Sequence, residues 1–153
     1  METDILIIGA GLTGLNAARE IHETAPELRV LVADAGGGAS SEIMGFSAPV
    51  NPPDSAEVLC SDTLASGGGY SDPALVRILA DRAEPEMRRL ETMGIRFDRT
   101  PDGHYSMVNA VGTSFPRVVH SGTTTGKQAI ALLKTDVLKT RIVRLALGTQ
   151  GIA

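Results

Sequence analysis

Gly9-Ala10-Gly11-Leu12-Thr13-Gly14 follows directly on the unbroken apolar run Ile5-Leu6-Ile7-Ile8. A run without alternation suits a central parallel strand covered on both faces. From Thr13 to about Glu23, Leu15, Ala18 and Ile21 recur at helical spacing, and Pro26 ends the pattern. Arg29 to Ala33 reads as a second buried strand that closes on Asp34. The order is strand, glycine turn, helix, strand. Each part has a mechanical reason. Gly9 permits a tight turn off the strand, Gly11 lets a phosphate approach the backbone, and Gly14 allows helix and strand to pack closely. A helix N-terminus offers free N–H groups and partial positive charge to phosphates. Asp34 stands twenty residues after Gly14, where a carboxylate can accept from a ribose 2′-OH and would repel a 2′-phosphate. The unit therefore predicts dinucleotide binding and argues against NADP. The motif alone leaves FAD and NAD open.

Beyond Asp34, Gly36-Gly37-Gly38 breaks regular structure. Ala39 to Asp62, with Pro49, Pro52 and Pro53, reads as a long loop of the kind that is usually functional. Asp72-Pro73 predicts a helix start. Val76, Leu79, Ala83, Met87 and Leu90 form its apolar face, Pro85 is expected to kink or split it, and Gly94 to stop it. Ile95 to Phe97 suggests a short strand, and Asp102-Gly103 a turn. Thr125-Gly126-Lys127-Gln128 has the form of a capping box. The helix behind it presents Ile130, Leu133 and Val137, and Arg141 to Leu147 reads as a third strand of the first sheet. No internal repeat is present, and no point marks a boundary at which the chain would split.

Composition removes several classes of function. A chain of 153 residues, 42% hydrophobic and 21% charged, suits one globular domain. Its net charge is −4, its Lys and Arg are scattered, and it has 2 Tyr, 3 Phe and no Trp. Neither an electrostatic footprint for nucleic acid nor an aromatic platform for bases is expected. Cys60 is the single cysteine, which excludes an internal disulfide framework and a cysteine-rich cluster. No His/Asp/Glu spacing suggests a metal site. The acidic start Met1-Glu2-Thr3-Asp4 lacks the basic region of a secretory signal, and Ile5 to Ile8 is too short to span a bilayer. A cytoplasmic chain without a transmembrane segment is the expectation. Gly122 to Lys127 imitates the phosphate loop of nucleotide hydrolases. It has three residues between its glycines where that motif has four, and Gln128 where it has Ser or Thr. No ATP or GTP site is expected there.

The rest of the reading is resemblance. GAGLTGLNAAREI and VLVADAGGGASS resemble the opening of two-dinucleotide-binding flavoproteins. DTLASGGGYSDPALVRILADRAEPEMRRLETMGIRFDR resembles the fumarate reductase/succinate dehydrogenase flavoprotein and L-aspartate oxidase family. SFPRVVHSGTTTGKQAIALL resembles a family segment in which an Arg precedes a short loop ending in Thr-Gly and a helix. The similarity runs over residues 4 to 138. It implies an α/β fold, a Rossmann-like FAD-binding βαβ sheet that is an incomplete domain, with 1–153 as the N-terminal part and the capping and C-terminal parts absent. It implies FAD at Gly9, Ala10, Gly11, Leu12, Thr13, Gly14 and Ala35, with Asp34 at the adenosine ribose. Ser40 and Ser41 would lie beside the phosphates or the flavin, and Gly45 would let the chain pass close to the flavin ring.

Two departures qualify the match. Glu42-Ile43 stands where respiratory members carry the His that bonds to flavin, and no His lies between His22 and His104. FAD is therefore expected to bind noncovalently. Met44-Gly45 replaces the family's Gly-Gly pair. The family's dicarboxylate-binding and proton-donating Arg and His residues lie in parts beyond Ala153, so no catalytic residue is assigned here. The expected function is the FAD-binding portion of an oxidoreductase that moves hydride between flavin and a small dicarboxylate-like substrate, with a partner subunit for electron transfer possible in the full enzyme. This chain alone is expected to be inactive. The alternatives are a nucleotide-binding module without catalysis and an NAD-dependent dehydrogenase. Arg117 is either an anion ligand or a surface cation, and His120 either faces flavin or substrate or lies at the surface. Glu42 reads as a solvated loop carboxylate, His104 as a turn residue, His22 as a complement to a helix C-terminus, and Cys60 as a structural thiol.

Overall fold

The computed structural model describes residues 2–140 and 143–149. In chain order the elements are β1 (Ile5–Ile8), α1 (Leu12–Thr24), β2 (Val30–Asp34), a 3-10 turn (Ala39–Ser41), β3 (Gly45–Ser47), α2 (Ala56–Ser66), α3 (Pro73–Met93), β4 (Met107–Val108), β5 (Val118–His120), α4 (Thr125–Lys139) and β6 (Val143–Leu147). Where the sequence marks no boundary, the chain divides into two compact units. One comprises Met1–Ile43 with Gly126–Ala153, and the other Met44–Thr125.

The first unit is a parallel sheet in the order β1-β2-β6, with Ile7 opposite Val32 and Val32 opposite Leu145. The predicted third strand is β6; Arg141 and Ile142 of that prediction lie outside the described residues. Both crossovers step the same way across the sheet. Right-handed connections then put α1 and α4 on one face. On that face Val30, Val32 and Val143 are buried with Leu15 and Ala18 of α1 and with Ala129, Leu133 and Val137 of α4. The opposite face carries Leu6 and Ile8, 55% and 74% exposed. The expectation that β1 is covered on both faces is thus corrected: the described helices of this unit follow connections of one direction, and none reaches the second face.

The second unit is built on an antiparallel sheet in the order β3-β5-β4. Gly45 lies opposite His120, Phe46 and Met107 opposite Val119, and Ser47 and Val108 opposite Val118. Helices α2 and α3 pack together, burying Leu59 with Val76, Ala80 and Met87. Phe97 makes edge contacts with Phe46 at 5.9 Å and Tyr105 at 6.5 Å between ring centroids.

Several local expectations change here. The long loop ends early, because Ser55 accepts from the Val58 N–H and starts α2. The prolines that argue against a helix all precede it. Helix α3 begins as expected, Asp72 accepting from the Ala74 and Leu75 N–H groups. It continues through Pro85 without splitting. Proline deprives the carbonyl four residues earlier of its helical donor; here that residue is exposed Asp81 and Pro85 is itself exposed, so water can take the carbonyl. The buried stripe uses Ala80 where the sequence pattern suggests Leu79, and Leu79 is 52% exposed. Ile95 and Phe97 are buried but form no strand.

Leu15 and Ile8 separate the two faces of the parallel sheet. Leu15→Ala should lower unfolding stability by about 2–5 kcal/mol, the range for truncating a fully buried leucine. Ile8→Ala should change it by about 0.5 kcal/mol or less. Urea unfolding of both variants, followed by circular dichroism, checks this, and equal losses would refute the one-sided core.

Candidate nucleotide-binding site

The turn between β1 and α1 is held from three directions. Gly9 leaves β1 with φ +99°, and its N–H donates to the Ala33 carbonyl at 2.7 Å. At Gly14 a Cβ would collide with the Gly9 carbonyl and approach Ile7 Cγ2 to 3.2 Å. Helix α1 can therefore start against the end of β1 only because residue 14 has no side chain. The Ala10 N–H donates to Asp34 Oδ1 at 3.0 Å, which ties the turn to the end of β2. The Leu12 N–H donates to Ser40 Oγ at 3.2 Å, which ties it to the 3-10 turn.

This arrangement fits a dinucleotide. Gly11 is the N-cap of α1, makes no side-chain cap bond, and no acidic residue stands in the first turn. A Cβ at Gly11 would lie 3.0 Å from Ser40 Oγ, so a side chain there would fill the cradle beside the helix N-terminus. Asp34 is 16% exposed, with Oδ2 at 3.9 Å from Lys134 Nζ. One oxygen serves Ala10, and a carboxylate offers about four lone-pair positions in all, so capacity remains for ribose hydroxyls. Ser41 Oγ lies 2.9 Å from both the Gly38 carbonyl and Glu42 Oε1. Glu42 thereby acquires a local partner.

Two contributors carry no signal in the sequence. Lys134 approaches Asp34 from α4, far along the chain, with no motif to announce it. Gly126 reads in the sequence only as part of a helix start. Its N–H donates to the Ile43 carbonyl at 3.0 Å, and a Cβ there would strike the Ser40 carbonyl and approach Ile43 Cγ1 to 2.6 Å. The start of α4 thus supports the segment that carries Ser40 and Ser41. The Thr125 hydroxyl accepts from the Ser121 N–H and donates to the Met44 carbonyl.

In the second unit the structure separates Arg117 from His120. Arg117 is wholly buried, which corrects its reading as a surface cation. Its Nη2 lies 2.9 Å from Asp54 Oδ1 and 2.8 Å from Asp62 Oδ2. The cluster fastens β5 to α2 and to the turn before it. Asp62 also accepts from the Ser114 N–H and hydroxyl at 2.8 and 2.7 Å. Those bonds, with Arg117 adding to them, hold its carboxyl below the ordinary aspartate value. His120 points to the other side of β5. Its Nδ1 is 2.9 Å from Asp98 Oδ2 and its side chain is 20% exposed. Cys60 is a free, half-buried thiol. Among the described residues no group of acidic, His and Cys side chains could hold a metal, and no helix is long and apolar enough to cross a membrane.

The family model described as an FAD binding domain matches residues 4–147. The chain belongs to that family. Its cofactor is FAD, and the NAD-dependent dehydrogenase reading falls. A fumarate reductase (CoM/CoB) subunit of Methanothermobacter marburgensis is 36% identical over 146 residues, covering 90% of this chain and 26% of that protein. L-aspartate oxidase of Agrobacterium fabrum is 32% identical over 148 residues, covering 95% of this chain and 28% of that protein. The solved structure of Mycobacterium smegmatis Sdh1 in complex with UQ1 superposes with a TM-score of 0.84 at 30% identity, covering 97% of this chain and 28% of that one. The chain thus spans little more than a quarter of the length of these relatives.

The Asp62 environment predicts an acid-dependent stability. Its folded carboxyl titrates below the ordinary value of 3.8. The stabilisation is fully present above that value and is lost as pH falls through the lower, folded one. Asp62→Asn should flatten this part of the acid unfolding profile, measured as urea midpoints at a series of pH values. An unchanged acid limb would show that Asp62 carries no such linkage.

Proposed function

We propose that this chain holds FAD noncovalently at Gly9, Ala10, Gly11, Leu12, Thr13, Gly14, Asp34 and Ala35, with Ser40 and Ser41 beside the phosphates or the flavin and Gly45 beside the flavin ring. It forms the FAD-binding portion of an oxidoreductase of the fumarate reductase/succinate dehydrogenase type. The observation that carries this reading is the cradle in which Gly11, Ser40 and Asp34 converge on the start of α1, where the N-cap Gly11 makes no side-chain cap bond. The backbone N–H groups and partial positive charge there suit a pyrophosphate. The Asp34 carboxylate suits ribose hydroxyls. Glu42-Ile43 after the serines supports a noncovalent cofactor, because neither side chain can form the histidyl link.

When bound, flavin supplies two-electron hydride chemistry, which the protein orients and tunes. The residues of this chain bind and position. Gly11 admits the phosphates, Ser40 holds the Leu12 N–H in place, and Asp34 anchors both the turn and the ribose. The substrate class proposed is a small dicarboxylate or a relative of one, supported by the names of the similar proteins. An electron-transfer partner subunit belongs to the same proposal. Substrate turnover also needs a held substrate, a proton donor and exclusion of water. We place these in the parts of the relatives that this chain does not match, and the 153 residues by themselves are read as inactive.

Flavin-loaded protein precipitated with acid should release its flavin to the supernatant; flavin retained in the pellet would refute noncovalent binding. Gly11→Val should weaken FAD binding far more than Asp34→Ala. The valine fills the cradle beside Ser40, whereas the alanine removes charge-assisted hydrogen bonds of roughly 1.5–3 kcal/mol. Fluorescence titration with FAD, with folding checked by circular dichroism, decides it. Equal affinities would count against this placement of the phosphates.

A further inference from the structure

We propose that Lys134 is a positioning residue of the cofactor cradle: its ammonium offsets the Asp34 carboxylate, so that one site takes both ribose hydroxyls and a doubly negative pyrophosphate. The proposal rests on the reading that places FAD at the glycine turn and Asp34. Every residue concerned belongs to the first unit.

The cradle contains an electrostatic conflict. The N–H groups that open α1 suit phosphates. Yet Asp34 Oδ1 accepts from the Ala10 N–H at 3.0 Å, and Ala10 immediately precedes the N-cap Gly11. An anionic side chain is thus bonded into the turn that would receive the phosphates. The partial positive charge of a helix N-terminus is about half an elementary charge, too small to cancel a carboxylate. The chain as a whole carries −4 and adds no attraction for an anion.

Lys134 resolves the conflict through its distance. Its Nζ lies 3.9 Å from Asp34 Oδ2. That is close enough for an ion pair and too far for an N–H···O bond, which needs about 2.7–3.2 Å. The charge is offset while Oδ2 keeps its lone pairs for ribose hydroxyls. Among the described residues no hydrogen bond occupies Oδ2, and Lys134 is the basic side chain within ion-pair reach of Asp34. Other cations of this unit are paired elsewhere: Arg19 with Glu23, Arg29 with Glu2 and Asp4, and Lys139 with Asp136. The ammonium is carried by a fixed helix. Leu133 and Val137 of α4 are buried, and the Gly126 N–H at its start is bonded to the Ile43 carbonyl.

The test uses the whole chain and two ligands, ADP and adenosine, each competed against bound FAD and followed by flavin fluorescence. The two share the ribose and differ in the charged phosphates, so the ratio of their affinities reads the charge of the site. Lys134→Met and Lys134→Gln both remove the charge, and circular dichroism checks their folding. Each should lower the ratio about three- to tenfold in low salt, the effect of one unit charge at a partly solvated site, and by less in high salt. Asp34→Asn should raise the ratio. Lys134→Met combined with Asp34→Asn restores the net charge of the site and should return the ratio to near its wild-type value, which loss of a structural tie would not do. Lys134→Arg should keep the wild-type ratio. A ratio indifferent to Lys134→Met, or a fall that the double variant does not reverse, overturns the proposal while bound FAD keeps the parent reading. Wild-type protein that binds neither FAD nor ADP overturns both.

Discussion

The close approach of α1 to β1 at Gly14 is the contact on which the first unit depends. The Gly9 carbonyl occupies the space where any side chain at residue 14 would stand. Only with that contact made does the helix N-terminus reach the end of the strand. Ala10 can then donate to Asp34 and Leu12 to Ser40. The ties of the turn to Asp34 and to the serine turn are consequences of one steric allowance. The same economy recurs at Gly126, where absence of a side chain lets the start of α4 support residues 40–43.

The second unit rests on a different physical basis. An arginine without solvent contact is tolerable only when paired, since a buried unpaired charge is strongly unfavourable. Arg117 has two carboxylates, Asp54 and Asp62, drawn from different parts of the chain. It therefore organises the interior of β5 while its near neighbour His120 faces away. Strand alternation makes this division: Arg117 pairs with Asp54 and Asp62, and His120 pairs with Asp98.

Elements whose cause lies in local chemistry are legible in the sequence. Asp72-Pro73 starts α3 because an aspartate N-cap and a proline at the first helical position each satisfy a local requirement. The strand, glycine turn, helix and acid at the start of the chain are equally local. Elements that depend on distant partners are not legible. Helix α2 is hidden behind prolines that end before Ser55, and Ile95 to Phe97 has strand-like residues but no strand to pair with. Lys134, Asp98 and the partners of Arg117 belong to the candidate sites through contacts between residues 22 to 100 positions apart.

By itself the sequence determined that this chain begins with a dinucleotide-binding unit, because glycine spacing, strand, helix and terminal acid are requirements of the backbone within a few turns of itself. It also carried the family resemblance through ordered motifs. The tertiary structure decided which face of the parallel sheet is buried, since that follows from the direction in which successive crossovers step and not from the apolarity of β1. It decided that Arg117 is interior and that His120 stands opposite Gly45, because burial and register are set by which strands pair, and pairing is a property of the whole chain.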